Sequence, residues 1–206
     1  MAPPPPPPAD FTLDPSLADY NILIYDYLSK LNETAIPKLE GLATGAVIFS
    51  AHHPADQPDR VLLVQRASHD SMPNKWEIPG GAVDDNETVL GGLVREVWEE
   101  SGLKVRRFIF SVGSGGGLAA GAVFQTRRGR FIFKLTFVVE VEDSAAVALD
   151  PDEHQDYVWA TEEECRAKLV DRSAEGEAPI ELVFTTAAQE WAILRAFETR
   201  RRDRGE

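Results

Sequence analysis

Two blocks of apolar residues with strong β character, 44–50 and 61–65, flank a His-, Pro- and Asp-containing stretch at 52–58. Short apolar runs bounded by turn residues predict neighbouring strands joined by a loop. A third apolar stretch, 76–79, ends in Gly80-Gly81 and leads into an acidic loop at 84–87. There the period changes. Leu90, Leu93, Val94 and Val97 fall at i, i+3, i+4 and i+7, the stripe of an amphipathic helix. Thr88 is placed to cap it and Gly102 to stop it, so the spacing predicts a helix over 88–101. Segments 105–112, 131–141 and 157–160 again read as strands. Between the first two lie a glycine-rich stretch, 113–121, and an arginine-tipped one, 127–130, which read as a flexible connection. A helix is expected to start at Thr161, where Glu163 and Glu164 suit the positive end of the dipole. The last helix is expected over 184–200, with Phe184, Ala187, Ala188, Trp191, Leu194 and Phe197 at helical spacing. This mixed order of strands and helices implies an α/β sandwich.

The ends of the chain differ from its middle. Residues 1–10 are mostly proline and read as a stiff, extended, disordered tail. Residues 11–40 carry Phe11, Leu13, Leu17, Tyr20, Ile22, Ile24, Tyr25, Tyr27, Leu28 and Leu31, and should pack on the domain as short helices or an arm. The domain itself is assigned to 41–200, and 201–206 to a basic tail. A chain of 206 residues suffices for one compact domain with appendages. The net charge of −13 disfavours a long nucleic acid as partner. It leaves room for a small phosphorylated substrate held through bound cations. No apolar run reaches the roughly 18 residues of a membrane helix, so no membrane partner is expected. The N-terminus lacks the basic start and apolar stretch of a signal peptide, which makes the cytoplasm the expected location. The single cysteine, Cys165, excludes an internal disulfide and reads as a packed helix residue.

The predicted helix over 88–101 has a second face. Glu96, Glu99 and Glu100 sit at i, i+3 and i+4 and cluster there. Like charges so placed weaken a helix by a few tenths of a kcal/mol per pair. A hard dication relieves the repulsion, because it prefers oxygen ligands. Gly91 and Gly92 interrupt the same helix, each at a cost of about 1 kcal/mol relative to alanine. Gly92 lies on the carboxylate face, where a bare backbone either leaves room beside the cluster or simply meets a need for a small residue. A solvated acidic face would leave Gly80-Gly81, Arg95 and Gly102 unexplained. A calcium-binding EF-hand fails, because Val89 stands where glycine is needed and Arg95 where glutamate is needed.

Residues 81–103, GAVDDNETVLGGLVREVWEESGL, resemble the signature of the Nudix hydrolase superfamily, G-x5-E-x7-R-E-U-x-E-E-x-G-U with U apolar. Gly81, Glu87, Arg95, Glu96, Val97, Glu99, Glu100, Gly102 and Leu103 all match. A weaker likeness runs over about 43–165, through 62–66, 76–81 and 153–159. The resemblance implies a Nudix-type α/β/α sandwich with a mixed sheet. It also implies Mg²⁺-dependent hydrolysis, with Mn²⁺ as a substitute, of a phosphoanhydride bond in a nucleoside diphosphate linked to another moiety. A nucleoside triphosphate, a nucleotide sugar or ADP-ribose would qualify. Carried over, Glu96, Glu99 and Glu100 are metal ligands, joined by the Gly80 carbonyl. Arg95 pairs with Glu87 and holds the loop against the helix; an ordinary ion pair with Glu99 is the plainer alternative. Glu153 is the candidate general base, with Glu99 or Glu100 as alternatives. Arg66 is the candidate phosphate clamp, against a plain surface cation. A homodimer is compatible with the resemblance.

Two other functions compete. A non-catalytic Nudix-like sensor would be expected to lose signature glutamates, and this chain keeps them. A prenyl diphosphate isomerase would want a cysteine near the site, and Cys165 is far along the chain. The region around Ala119 and Ala120 carries no marker of a particular substrate, and there is no zinc ribbon. The 113–121 stretch lacks the lysine and Ser/Thr of a P-loop. Arg127, Arg128 and Arg130 read as a solvated tip, and Arg200, Arg201, Arg202 and Arg204 as a frayed helix end. His52 and His53 lack a third ligand nearby and call for no zinc.

Overall fold

The computed structural model describes residues 10–52, 57–113, 115–173 and 176–205. The proline run before Asp10, and His53, lie outside the described residues. The first half of the chain supplies β1 (Thr12–Leu13), α1 (Ile24–Asn32), β2 (Gly41–Ile48), β3 (Arg60–Arg66), β4 (Trp76–Glu77) and α2 (Val89–Ser101). The second supplies β5 (Val105–Ser111), β6 (Gly121–Gln125), β7 (Phe131–Val141), β8 (His154–Thr161) and α3 (Glu162–Ala167). The short strands β9 (Leu169–Val170) and β10 (Ile180–Glu181) and the helix α4 (Ala187–Arg204) complete it.

Strand β7 is the spine of a five-stranded mixed sheet. It runs parallel to β2 on one side. On its other side β5 and β6 share its length, both antiparallel, and β1 adds to β5 in parallel. A second, antiparallel sheet has the order β4-β3-β8, and a bridge from Phe49 to Val61 joins β2 to its middle strand.

Alternation along the strands builds a core on each face. Leu42, Ala46 and Ile48 of β2, with Leu62 and Val64 of β3, pack against Leu90, Leu93, Val94 and Val97 of α2. Val47, Phe49, Val61 and Leu63 point the other way and meet Ala192, Ile193, Ala196 and Phe197 of α4. Each fully buried valine, leucine, isoleucine or phenylalanine among these is worth about 1.5–3 kcal/mol. The result is the expected α/β/α sandwich with a mixed sheet. Among the described residues no helix is long and apolar enough to cross a membrane.

The N-terminal segment joins the α2 side of the core. Leu17, Tyr20, Ile24, Tyr27 and Leu31 are buried there. Phe11 packs edge-on against Phe108 at 5.0 Å, and Tyr20 against Phe137 at 5.1 Å. Cys165 is buried in α3, and burial pushes its thiol up to about 12, as a packed helix cysteine should behave.

Three expectations need correction. The connection over 113–130 contains a strand: β6 pairs with β7 through five residues, from Gly121 opposite Leu135 to Gln125 opposite Phe131. Its pattern is obscured because Val123 and Phe124 stay exposed. Helix α4 starts at Ala187, and Phe184 instead lies in an extended segment bridged to Trp76. Its inward face is Gln189, Ala192, Ile193, Ala196 and Phe197, whereas Trp191 is 55% exposed. That rotation also sets the basic residues against acids. Arg200 and Arg204 reach Asp59 at 3.0 and 2.9 Å, and Arg201 pairs with Glu162. The end expected to fray is helical through Arg204.

Candidate active site

Helix α2 begins where Thr88 Oγ1 accepts from Gly91 N at 3.0 Å. It ends at Gly102, in the left-handed region with φ 66°. With its apolar stripe in the core, Arg95, Glu96 and Glu100 are turned toward the segment 80–87, and Glu99 joins them through Arg95. The N-terminal extension braces this junction: Ile24 N donates to Glu87 O and Val89 N to Ile22 O, both at 3.0 Å.

Arg95 gathers the acids. Its Nε donates to Glu87 Oε1 at 2.8 Å and its Nη2 to Glu87 Oε2 at 3.0 Å, a bidentate pair. Nη2 also reaches Ala82 O at 2.9 Å. Nη1 reaches Glu96 Oε1 at 2.8 Å and Glu99 Oε2 at 2.9 Å. The two readings of Arg95 therefore describe one guanidinium with several partners. Burial opposes ionisation of Glu87, but the Arg95 hydrogen bond, the Asp84 N–H and the Arg95 charge together outweigh it and hold its carboxyl below the usual range. Gly92 leaves room for this pair, since an added Cβ would stand 3.0 Å from both Glu87 Oε2 and Val83.

The glycine pair admits the carboxylates. Gly80 has φ 139°, and a Cβ there would fall 2.4 Å from Thr44 O. A Cβ on Gly81 would fall 2.5 Å from Glu96 Oε2. The carbonyls of Pro79 and Gly81 accept from Ala46 N and Thr44 N at 2.8 Å, which leaves the Gly80 carbonyl outside that ladder. Gly80 N donates to Glu100 Oε2 at 2.7 Å. Glu100 is only 5% exposed. Burial pushes its carboxyl well up, and Glu77, Glu96 and Glu153 push the same way against the Gly80 hydrogen bond. Glu96 is also raised, by burial first. Ligand atoms of Glu100, Glu153 and His154 lie within 4.8 Å of one another. Oxygen donors that crowd and discourage one another's ionisation fit a hard dication.

Sequence reasoning missed two members of this neighbourhood. Glu77 and His154 are 5% and 2% exposed. Glu77 Oε1 accepts from Arg66 Nη1 and stands 3.5 Å from His154 Nε2, while His154 Nδ1 is buried with no hydrogen-bond partner among the described residues. An acid inside the apolar stretch 76–79 was the available signal for Glu77. Arg66 lies beside the site, but Asp70 takes its Nε and Nη2 at 2.8 and 2.6 Å and Glu77 takes its Nη1. Both edges of the proposed clamp face protein carboxylates. Glu153 is exposed, in the turn before β8.

The NUDIX domain pattern matches residues 40–180. The chain belongs to the NUDIX domain family. An m7GpppN-mRNA hydrolase of Bos taurus is 44% identical over 77 residues, 36% of this chain and 24% of that protein. Diphosphoinositol polyphosphate phosphohydrolase 2 of Homo sapiens is 36% identical over 75 residues, 36% of this chain and 39% of that one. These matches span less than half the length of either relative. Among solved structures, a C. elegans Ap4A hydrolase binary complex superposes with TM-score 0.56 at 18% identity, over 80% of this chain and 99% of that one. The NUDIX domain of Shewanella oneidensis NrtR complexed with ADP ribose gives 0.55 at 20%, over 84% and 97%. At such identities these two establish the fold.

In this Nudix domain the glycine pair, Glu77 and Glu87 form part of the wall of a cavity of about 1390 Å³. Ile24, Tyr25 and Leu28 of the N-terminal helix form another part, and α4 closes a third side with Gln189 and Trp191. Four aromatic residues are exposed among the described residues, and three of them, Tyr25, Phe124 and Trp191, line this cavity. The extension that the signature does not cover is therefore a wall of the site.

Proposed function

We propose that this Nudix protein hydrolyses a phosphoanhydride bond in a nucleoside diphosphate linked to another moiety. The observation that carries the reading is the carboxylate cluster directly behind Gly80 and Gly81, two residues on the wall of a cavity large enough for a nucleotide. Glu96, Glu99, Glu100 and the Gly80 carbonyl would hold Mg²⁺, or Mn²⁺ in its place. When bound, the dication neutralises charge on the diphosphate. Arg95 and Glu87 keep the 84–87 loop against α2, so the ligands hold their positions when the substrate enters. Glu153 stands beside Glu100 and takes the proton of the attacking water as general base. The hydrolase names of the bovine and human relatives support the enzymatic reading over a binding module.

The test is a panel of nucleoside triphosphates, nucleotide sugars and ADP-ribose, each incubated with and without Mg²⁺. Metal-dependent product from at least one compound is expected. Tight binding without turnover of any of them would favour a sensor instead. On the best substrate, Glu153→Gln should lower turnover by about 10²- to 10⁴-fold with little change in substrate binding. A loss under about threefold with an unaltered pH profile would move the base to Glu99 or Glu100.

A further inference from the structure

Three cations line the cavity among the described residues: Arg66, Arg130 and Lys134. Two are engaged. Arg66 is held by Asp70 and Glu77. Arg130 donates through Nη2 to Glu40 O at 2.6 Å, and its Nε lies 3.9 Å from Glu40 Oε2. The Lys134 ammonium has no hydrogen-bond or ion-pair partner among the described residues.

Its position explains how it stays accessible. Lys134 sits on the central strand β7, opposite Ala43 of β2 on one side and Ala122 of β6 on the other. Methyl-sized neighbours leave the floor open around it. Its stem passes close to Gly45, where an added Cβ would lie 3.1 Å from Lys134 Cε. Ile132 and Thr136 share its face of the strand and also line the cavity. At about 3.3 Å per residue they mark out roughly 13 Å of floor with Lys134 midway. The acids that act on it electrostatically are Glu77, Glu100 and Glu96. Two of these three are proposed to hold the dication. A disubstituted diphosphate carries two negative charges, and a dication already shared with carboxylates does not fully offset them, so an unengaged ammonium beside the cluster has an anion to meet.

We propose that the Lys134 ammonium is the cavity's anion-binding group and contacts a non-bridging phosphate oxygen of the substrate. The proposal rests on the diphosphate reading above. It moves the phosphate contact from Arg66, the sequence candidate, to a residue outside the signature. The competing role is structural: Lys134 could serve only as a countercharge that eases Glu77, Glu96 and Glu100 together.

The two roles separate in binding measurements that need no turnover. The probe is inorganic pyrophosphate with Mg²⁺, titrated calorimetrically into the full chain, alongside Mn²⁺ binding followed by electron paramagnetic resonance without pyrophosphate. Lys134→Met keeps the stem and removes the charge. It should weaken pyrophosphate binding about 10- to 100-fold, the scale of one charge-assisted hydrogen bond. Mn²⁺ affinity should hold or rise. Lys134→Arg should restore pyrophosphate binding to within severalfold of wild type. If Lys134→Met fails to fold, Lys134→Gln is measured in its place, with the same expectation. Unchanged pyrophosphate affinity in the charge-removed variant, together with tighter Mn²⁺ binding, overturns the proposal and leaves the countercharge role. A wild-type protein that binds Mn²⁺ but no pyrophosphate removes the diphosphate reading and this proposal with it.

Discussion

Helices α2 and α4 cover opposite faces of the same sandwich, yet they divide their surfaces differently. In α2 the apolar stripe and the charged face are cleanly separated. Leu90, Leu93, Val94 and Val97 are buried, and Arg95, Glu96, Glu99 and Glu100 gather at the glycine pair. In α4 apolar residues fall all round the helix, so periodicity alone does not select a face. Tertiary partners do: Asp59 and Glu162 capture its arginines, Ile193 goes inward, and Trp191 is left at the cavity. A clean polar complement makes a helix face readable; a helix with several apolar faces is oriented by what it meets.

The comparison can be broken most forcefully on α2. Its charged face is assigned to chemistry, so Glu100→Gln should lower turnover by about 10²-fold or more. It should leave the metal-free fold no less stable. Burial raises the folded pKa of Glu100 above its ordinary value of 4.5. Without metal the folded state therefore prefers the protonated carboxyl. Ionisation costs stability progressively as pH rises from that ordinary value through the raised one. In EDTA, the melting temperature of Glu100→Gln should gain on wild type over the range above that ordinary value of 4.5, as the pH rises. A difference that stays flat across that range would contradict the buried position of Glu100.

Next in size are the core positions. Leu93→Ala on α2 and Ile193→Ala on α4 should each cost about 2–5 kcal/mol in urea unfolding. Trp191→Ala should cost less than about 1 kcal/mol, because the ring is exposed. Equal losses at Ile193 and Trp191 would contradict this orientation of α4. The smallest effect belongs to the end of α4. A chain stopped after Thr199 loses the pairs to Asp59 and Glu162, each worth about 0–1 kcal/mol at such exposure. Its melting temperature should fall by only a few degrees, and turnover should stay within about twofold of the full chain. A larger loss of turnover would tie that helix end to the site.

What could be read in the sequence follows the same division. The candidate site on α2 was readable because its carboxylates, its caps and its core stripe share one contiguous stretch with one period. Arg95 with Glu87, and the Gly80-Gly81 entrance, lie within or beside it. Glu77, His154 and Lys134 come from three strands far apart in the chain, and only sheet pairing brings them near the carboxylates. Arg66 lies on the cavity wall, but its engagement by Asp70 and Glu77 is a tertiary fact that no local pattern carries. Strand β6 escaped notice because it pairs on one side with β7 and leaves two apolar residues exposed at the cavity, which erases the usual alternation. The N-terminal segment showed its apolar content but not its place as a brace for Glu87 and a wall of the cavity.

The central claim is that the carboxylates of α2 act through a bound dication. Its most direct test is turnover of the best substrate from the nucleotide panel, measured on untreated protein, after EDTA, and after Mg²⁺ is restored. Activity should vanish with EDTA and return with Mg²⁺. Turnover that continues undiminished in EDTA would contradict the account.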